Sequence, residues 1–365
     1  MAESTEAQAN YSCPACGGDS HWDPGKKALV CVYCGTESPG EQDDASGEIR
    51  ELDLAKALRN LGDEVRGWKS ERVSVKCQNC EAISVFDAKT TAKNCEFCGS
   101  AQILPYEQRR APISPESLLP FVVTESVVRE SMRKWYASRW FAPNRLKKGA
   151  MTDTVHGAYI PYWTFDAQSH ADWTAQSGYY YYVTERYTDS QGKRRSRQVR
   201  KVRWRNSSGA LDHFFDDELV AGTKGVDGQL LTQVEPFPTQ KLVNYDPTYV
   251  SGWLVEQYQI DLIAAAQRSR QRMDQKLERM CASQVPGDTH RFLRVSSRYW
   301  DQTFKHILVP VWFLSYRYGK KTYQVLVNGV TGEIAGRYPK SFWKIFFLVI
   351  SILLIVGAVA LMANS

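Results

Sequence analysis

A chain of 365 residues carrying 46 Lys or Arg against 40 Asp or Glu, with a formal charge of +6, has room for more than one domain. Its apolar share of 43% is ordinary for a globular chain and excludes a wholly disordered one. The modest basic balance does not by itself argue for nucleic acid, because a membrane-apposed protein benefits from it equally.

Residues 1–12 read as a polar, disordered lead. Cys13, Cys16, Cys31 and Cys34 follow, in two Cys-x-x-Cys pairs. The same quartet recurs as Cys77, Cys80, Cys95 and Cys98. Two such pairs on tight knuckles, joined by a short hairpin, supply four thiolates to one tetrahedral Zn²⁺. The chain therefore reads as two zinc ribbons, 13–35 and 77–99, holding two structural Zn ions. Gly17, Gly35 and Gly99 follow the second cysteine of three knuckles, and Glu81 stands at that position in the fourth. Disulfides are the competing reading. It is weaker because paired Cys-x-x-Cys knuckles are a metal spacing rather than an extracellular framework.

Residues 36–76 read as a linker. Within it Ile49, Leu52, Ala55, Leu58 and Leu61 predict a short amphipathic helix, with either the ribbons or a partner protein as its cover. Prolines 105, 112, 115 and 120 stiffen the entry into an α+β domain spanning 100–340. Thr124 is the expected N-cap of a helix running to Ser138. From Ala158 onward Val, Tyr, Trp and Thr become dense and predict strands. Gly178–Tyr187 and Arg197–Arg205 form a long hairpin in this reading. A helix over Leu254–Cys281 follows, then strands over 291–300, 303–318 and Thr322–Asn328.

Ile160-Pro-Tyr-Trp163 is echoed by Val309-Pro-Val-Trp312. The domain is either two related halves or two unrelated strands that share a short pattern. Proline within each run points to an edge strand or a bulge. The final segment, 342–363, contains the uncharged stretch Ile345–Ala363, long enough to cross a bilayer as one transmembrane helix. Arg337, Lys340 and Lys344 precede it, which by the positive-inside rule keeps the bulk of the protein in the cytoplasm, single-pass at the inner membrane.

Chemistry is sparse. There is no phosphate-binding loop, no nucleophile elbow and no His-Glu-x-x-His pair. Cys281 has no base near it in sequence and reads as structural. Asp212–Glu218, with His213, Asp216 and Asp217, is the one cluster resembling an acid–base site. It reads as a strand whose acids lie solvated in the following loop. No catalytic residue is assigned and the chain reads as a non-enzyme. Lys193–Arg205 holds eight Lys or Arg. It reads as a solvated edge, as a surface for anionic lipid provided the hairpin faces the bilayer, or as a surface for nucleic-acid phosphates.

The two Cys quartets, Tyr159–Asp166, Val309–Trp312 and Val327–Gly332, in this order before an apolar terminal helix, resemble a family of bacterial membrane proteins. That family has paired N-terminal zinc ribbons of the transcription-factor-B type. The resemblance covers nearly the whole chain and rests chiefly on the cysteines. It implies an adaptor at the cytoplasmic face of the membrane, with flotillin-like or phage-shock-type scaffold partners in envelope stress. The rival expectation is a membrane-tethered nucleic-acid binder using the ribbons and the Lys193–Arg205 hairpin.

Overall fold

The computed structural model describes residues 11–38, 49–60, 73–86, 94–95, 97, 100–106, 113–143, 155–188, 190, 192–318 and 321–363. β1 (Tyr11–Ser12), β2 (Asp19–Asp23), β3 (Ala28–Cys31) and β4 (Glu37–Ser38) form one small antiparallel sheet. β5 (Leu52–Asp53) and α1 (Leu54–Asn60) follow, then β6 (Val73–Cys77), β7 (Ile83–Phe86), β8 (Ile103–Pro105), β9 (Ser117–Leu118) and α2 (Glu125–Ser138). Two very long strands, β10 (Val155–Thr188) and β11 (Arg194–Ala221), are succeeded by α3 (Gly228–Val234), β12 (Val243–Asn244), α4 (Pro247–Val250) and β13 (Leu254–Gln257). The chain continues through α5 (Leu262–Gln284), β14 (Thr289–Tyr318), β15 (Lys321–Asn328), β16 (Ile334–Gly336) and α6 (Phe342–Ala363). β5 to β16 belong to one mixed sheet. The architecture is the expected α+β.

The centre of that sheet is the antiparallel pair β10–β14, in which Ile160 stands opposite Val309. The same arrangement occurs on both sides of this pair. A short strand runs parallel to the long one, β13 beside Ala158–Tyr159 and β9 beside Ile307–Leu308. A helix precedes each long strand, and an antiparallel strand follows it, β11 after β10 and β15 after β14. Short strand, helix, long strand and returning strand thus occur twice.

The echoed Pro-x-Trp motifs have physical roles in this frame. Pro161 stands where the neighbour of β10 changes from β13 to β11, and Pro310 where the neighbour of β14 changes from β9 to β15. A missing N–H is tolerated at such a break in the ladder. The expected edge-strand placement is therefore corrected: both prolines lie in central strands. The tryptophans cross over. Trp163 Nε1 donates to Ile260 O at 2.9 Å and Trp312 Nε1 to Val123 O at 3.0 Å. Each acceptor immediately precedes a helix N-cap, Asp261 of α5 and Thr124 of α2.

Three further expectations are corrected. The helix expected from Leu254 begins at Leu262, because Asp261 caps it by accepting from Ala264 N at 2.8 Å. Leu254–Gln257 is instead strand, paired with both β10 and β7. The strands expected over 291–300 and 303–318 are one, β14, in which Asp301 takes φ 48° where the pairing with β10 shifts register. The amphipathic segment becomes β5 and α1, and buries Leu54 and Ala57 rather than Ala55, in a core with Phe304 and Trp163. Leu61 lies outside the described residues.

α6 spans 22 residues, with side chains described for residues 342–357 and 359. Among the described residues no helix is long and apolar enough to cross a membrane.

Candidate metal centres

The first centre is built by two knuckles. At Cys13–Cys16 the chain turns back through hydrogen bonds from Gly17 N to Cys13 O (2.8 Å) and from Cys13 N to Gly18 O (2.7 Å). Cys31–Cys34 repeats this with Gly35 N to Cys31 O (3.0 Å) and Cys31 N to Thr36 O (3.0 Å). Gly17 and Gly35 take φ of 69° and 71°, where a Cβ would be strained. The four sulfurs gather within 4.8 Å of one another, with Cys13–Cys34 and Cys16–Cys31 each at 3.5 Å. That is far beyond a disulfide bond of about 2 Å. It approaches the edge of about 3.8 Å of a tetrahedron with metal–sulfur bonds of about 2.3 Å. None of the four is disulfide-bonded, and the geometry favours the metal reading over the disulfide one for this quartet.

Donors already face the sulfurs. Ala15 N lies 3.4 Å from Cys13 Sγ, and Thr36 Oγ1 lies 3.1 Å from Cys34 Sγ. The Thr36 hydroxyl and then its N–H hold the Cys34 thiol down to about 6. Thr36 lies outside the Cys-x-x-Cys pattern, so spacing alone did not single it out.

The second centre joins Cys77, Cys80 and Cys95, with Cys80 and Cys95 sulfurs 3.6 Å apart. Asn79 N points at Cys77 Sγ from 3.4 Å, as Ala15 N does at Cys13. Cys98 lies outside the described residues. Glu81 occupies the glycine position of the knuckle with φ 63°, its N–H donating to Cys77 O at 3.0 Å. The knuckle therefore keeps its shape at the cost of a non-glycine residue in the left-handed region.

The two centres are mounted differently. The first sits on its own small sheet, docked on α4 and the segment after it. Ser251 Oγ donates to Ser20 O (2.9 Å), Trp253 Nε1 donates to Trp22 O (3.2 Å), and Trp22 meets Tyr249 edge-on at 4.6 Å. Cys16, Cys34 and Tyr33 remain on the outer surface. The second is part of the main sheet. β6 pairs with β7, and β7 with β13. Cys77 and Cys95 are buried in the same core as Phe97, which meets Phe313 at 5.4 Å.

The acidic segment is corrected in its placement. Asp216 and Asp217 do not lie in a loop, because β11 continues to Ala221. They meet Asp166, and His213 does not join them: its ring stacks edge-on against Phe215 at 4.6 Å. Lys305, itself buried, stands among the acids at 2.8 Å from Asp217, 3.0 Å from Glu51 and 3.7 Å from Asp166. Burial raises Asp166 to about 6, against the Asp217 N–H and the Lys305 charge, which lower it. The chain thus supplies its own counter-ion there. Glu218 is also buried, paired with Lys276. Cys281 is buried on the inner side of α5, and burial raises its thiol, in keeping with a structural place.

The chain is thus a mixed α+β protein with two N-terminal cysteine clusters whose geometry is compatible with zinc ribbons. It is similar to the uncharacterized protein YdjG of Bacillus subtilis (strain 168), 25% identical over 340 residues, covering 92% of each chain. No family model matches it, and no solved structure does.

Proposed function

We propose that the protein is a membrane-anchored adaptor in which two structural zinc ions hold the ribbons, and α6, through Ile345–Ala363, enters the bilayer. The observation that carries this reading is the condition of α6. Leu353, Leu354, Ile355 and Val356 are each 60% exposed or more, an apolar surface that water disfavours by about 25 cal/mol per Å². Its base is held firmly: Lys344 Nζ donates to Trp140 O (3.0 Å) and Ala142 O (2.9 Å), and Ser341 N to Phe141 O (2.8 Å). A helix rooted in a rigid domain and apolar on every described side suits lipid better than water. Arg337, Lys340 and Lys344 at the root orient the bulk toward the cytoplasm.

The first ribbon is the docking element in this reading. Its outer knuckle presents Val32 and Tyr33, 55% and 75% exposed, beside Cys16 and Cys34. Closed tetrathiolate zinc has no open position for catalysis and fixes the shape of the knuckle instead. The resemblance drawn from the sequence makes a flotillin-like or phage-shock-type scaffold the partner. Crosslinking in living cells, followed by detergent extraction and nuclease treatment, tests this. A scaffold that persists after nuclease and is lost on Val32→Asp and Tyr33→Asp supports the adaptor. Release of the full chain from membranes by alkaline carbonate refutes the anchor.

A further inference from the structure

The Lys193–Arg205 segment belongs to an arm. β14 accompanies β10 only as far as Gly178 opposite Thr289. The turn between α5 and β14 reaches little further: Asp288 N donates to Gly178 O (2.9 Å), and Tyr180 N donates to Asp288 Oδ2 (2.7 Å). Beyond that point β10 and β11 pair only with each other, out to Thr188 opposite Arg194. At about 3.4 Å per residue, this two-stranded ribbon extends about 30 Å past the sheet.

Directly paired residues share a face. Both faces of the arm carry cations and tyrosines, the opposite one Arg186, Arg194 and Arg200 with Arg200 over Tyr180 at 4.2 Å, but one face holds more cations. It carries Arg195, Arg197, Lys201 and Arg203 on β11, with Arg205 at its root opposite Ser177, and Tyr179, Tyr181 and Tyr187 on β10. The tyrosines are 38%, 39% and 43% exposed. Arginines lie over their rings: Arg205 over Tyr179 at 5.7 Å, Arg203 over Tyr181 at 5.5 Å and Arg197 over Tyr187 at 5.6 Å. Glu185, the carboxylate on this face among the described residues, is held between Arg197 (3.3 Å) and Lys201 (3.2 Å). A row of cations interleaved with aromatic rings is the surface that takes a phosphate backbone and stacks its bases.

The topology argues against the anchoring bilayer as the occupant. α6 follows β16, which lies beside β15, which lies beside residues 311–314 of β14. Those residues pair with Val155–Ala158, the beginning of β10. The arm occupies the far end of that 34-residue strand, beginning about 75 Å away along the chain and ending about 110 Å away. This step rests on the proposed anchoring by α6; the charge and ring pattern does not.

We propose that the arm binds single-stranded nucleic acid, with the five cations on phosphates and the three tyrosines on unpaired bases. The test uses the full-length protein in detergent or lipid nanodiscs and a labelled oligonucleotide of about 30 nucleotides, followed by fluorescence anisotropy. Five phosphate contacts on a single strand give a slope of about −3.5 in log K against log salt, or roughly a hundredfold loss between about 50 and 200 mM. Arg195→Gln, Arg197→Gln, Lys201→Gln, Arg203→Gln and Arg205→Gln together abolish that slope and the binding, with metal content and thermal midpoint unchanged. Tyr179→Ala, Tyr181→Ala and Tyr187→Ala together weaken binding tenfold or more while keeping the slope. The proposal is overturned by no binding at low salt, by full binding in the five-glutamine variant, by tighter binding of the duplex of the same sequence, or by equal competition from polyglutamate. Capture by the arm of anionic vesicles in preference to the oligonucleotide overturns it too. Loss of membrane association alone refutes the anchor and leaves the arm result standing.

Discussion

Glu256 is buried in β13, opposite Ser84 of β7, where it accepts from Thr223 Oγ1 at 2.7 Å and from Gln259 Nε2 at 3.2 Å. Its other oxygen has no hydrogen-bond partner. Burial, only partly countered by these two donors, raises its carboxyl to about 8. In the unfolded chain the same group ionises near 4.3. The folded state therefore holds the proton longer, and its stability is full below the unfolded value and falls as pH rises toward 8. Glu256→Gln removes that proton linkage while keeping the shape. The variant gains on the wild type as pH rises from 5 to 8, by up to about 1.4 kcal/mol per unit. Urea unfolding at three pH values measures the gap, and a constant gap shows that Glu256 is not the linked group. Nothing in the local sequence Leu254-Val-Glu-Gln257 marks this glutamate as buried; the sheet on both sides of β13 does so.

Among elements, the two Pro-x-Trp echoes were legible in sequence, but their meaning was not. A pattern can show that two strands are alike; it cannot show that they pair with each other, or that each tryptophan reaches the other half's helix. The long helix failed for a related reason. β13 is buried along most of its length, and a run buried on both faces lacks the alternation that separates strand from helix. The N-cap Asp261 was the available signal for the true start. The first cysteine quartet and three cysteines of the second gather as their spacing predicts, because the geometry of a knuckle depends on local spacing, which sequence records directly. Lys305 was missed as the partner of Asp217 because 88 residues separate them along the chain. The crossed indoles give a prediction. Trp312→Phe removes the donor to Val123 O, and Trp163→Phe the donor to Ile260 O, each costing about 1–2 kcal/mol. Hydrogen exchange resolves where the cost falls: Trp312→Phe speeds exchange in the first turn of α2, and Trp163→Phe in that of α5. Faster exchange in both helices with either variant refutes the crossed assignment.

On the scale of the whole molecule, the two candidate metal centres differ in what they hold together, so disrupting each has different consequences. The first ribbon closes a sheet of four strands that shares no strand with the rest of the fold. Its docking depends on a small set of bonds around Ser251 and Trp253. The second closes the β6–β7 hairpin, and β7 carries the main-chain ladder into β13 and from there to β10. Its cysteines also share the core that contains Ile160 and Val309, the residues at the centre of the β10–β14 pair. Structural zinc contributes its binding energy as folding energy, but only to the unit that unfolds without it. Cys13→Ser with Cys16→Ser should release one equivalent of zinc, expose the face of α4 that Trp22 covers, and leave the main unfolding transition nearly in place. Cys77→Ser with Cys80→Ser should release the other equivalent and lower the main transition by many degrees, or leave the protein insoluble. Metal analysis paired with calorimetry separates these outcomes. Equal shifts from the two pairs would mean that the first ribbon is welded to the domain as firmly as the second, and that it is not an independently presented docking element.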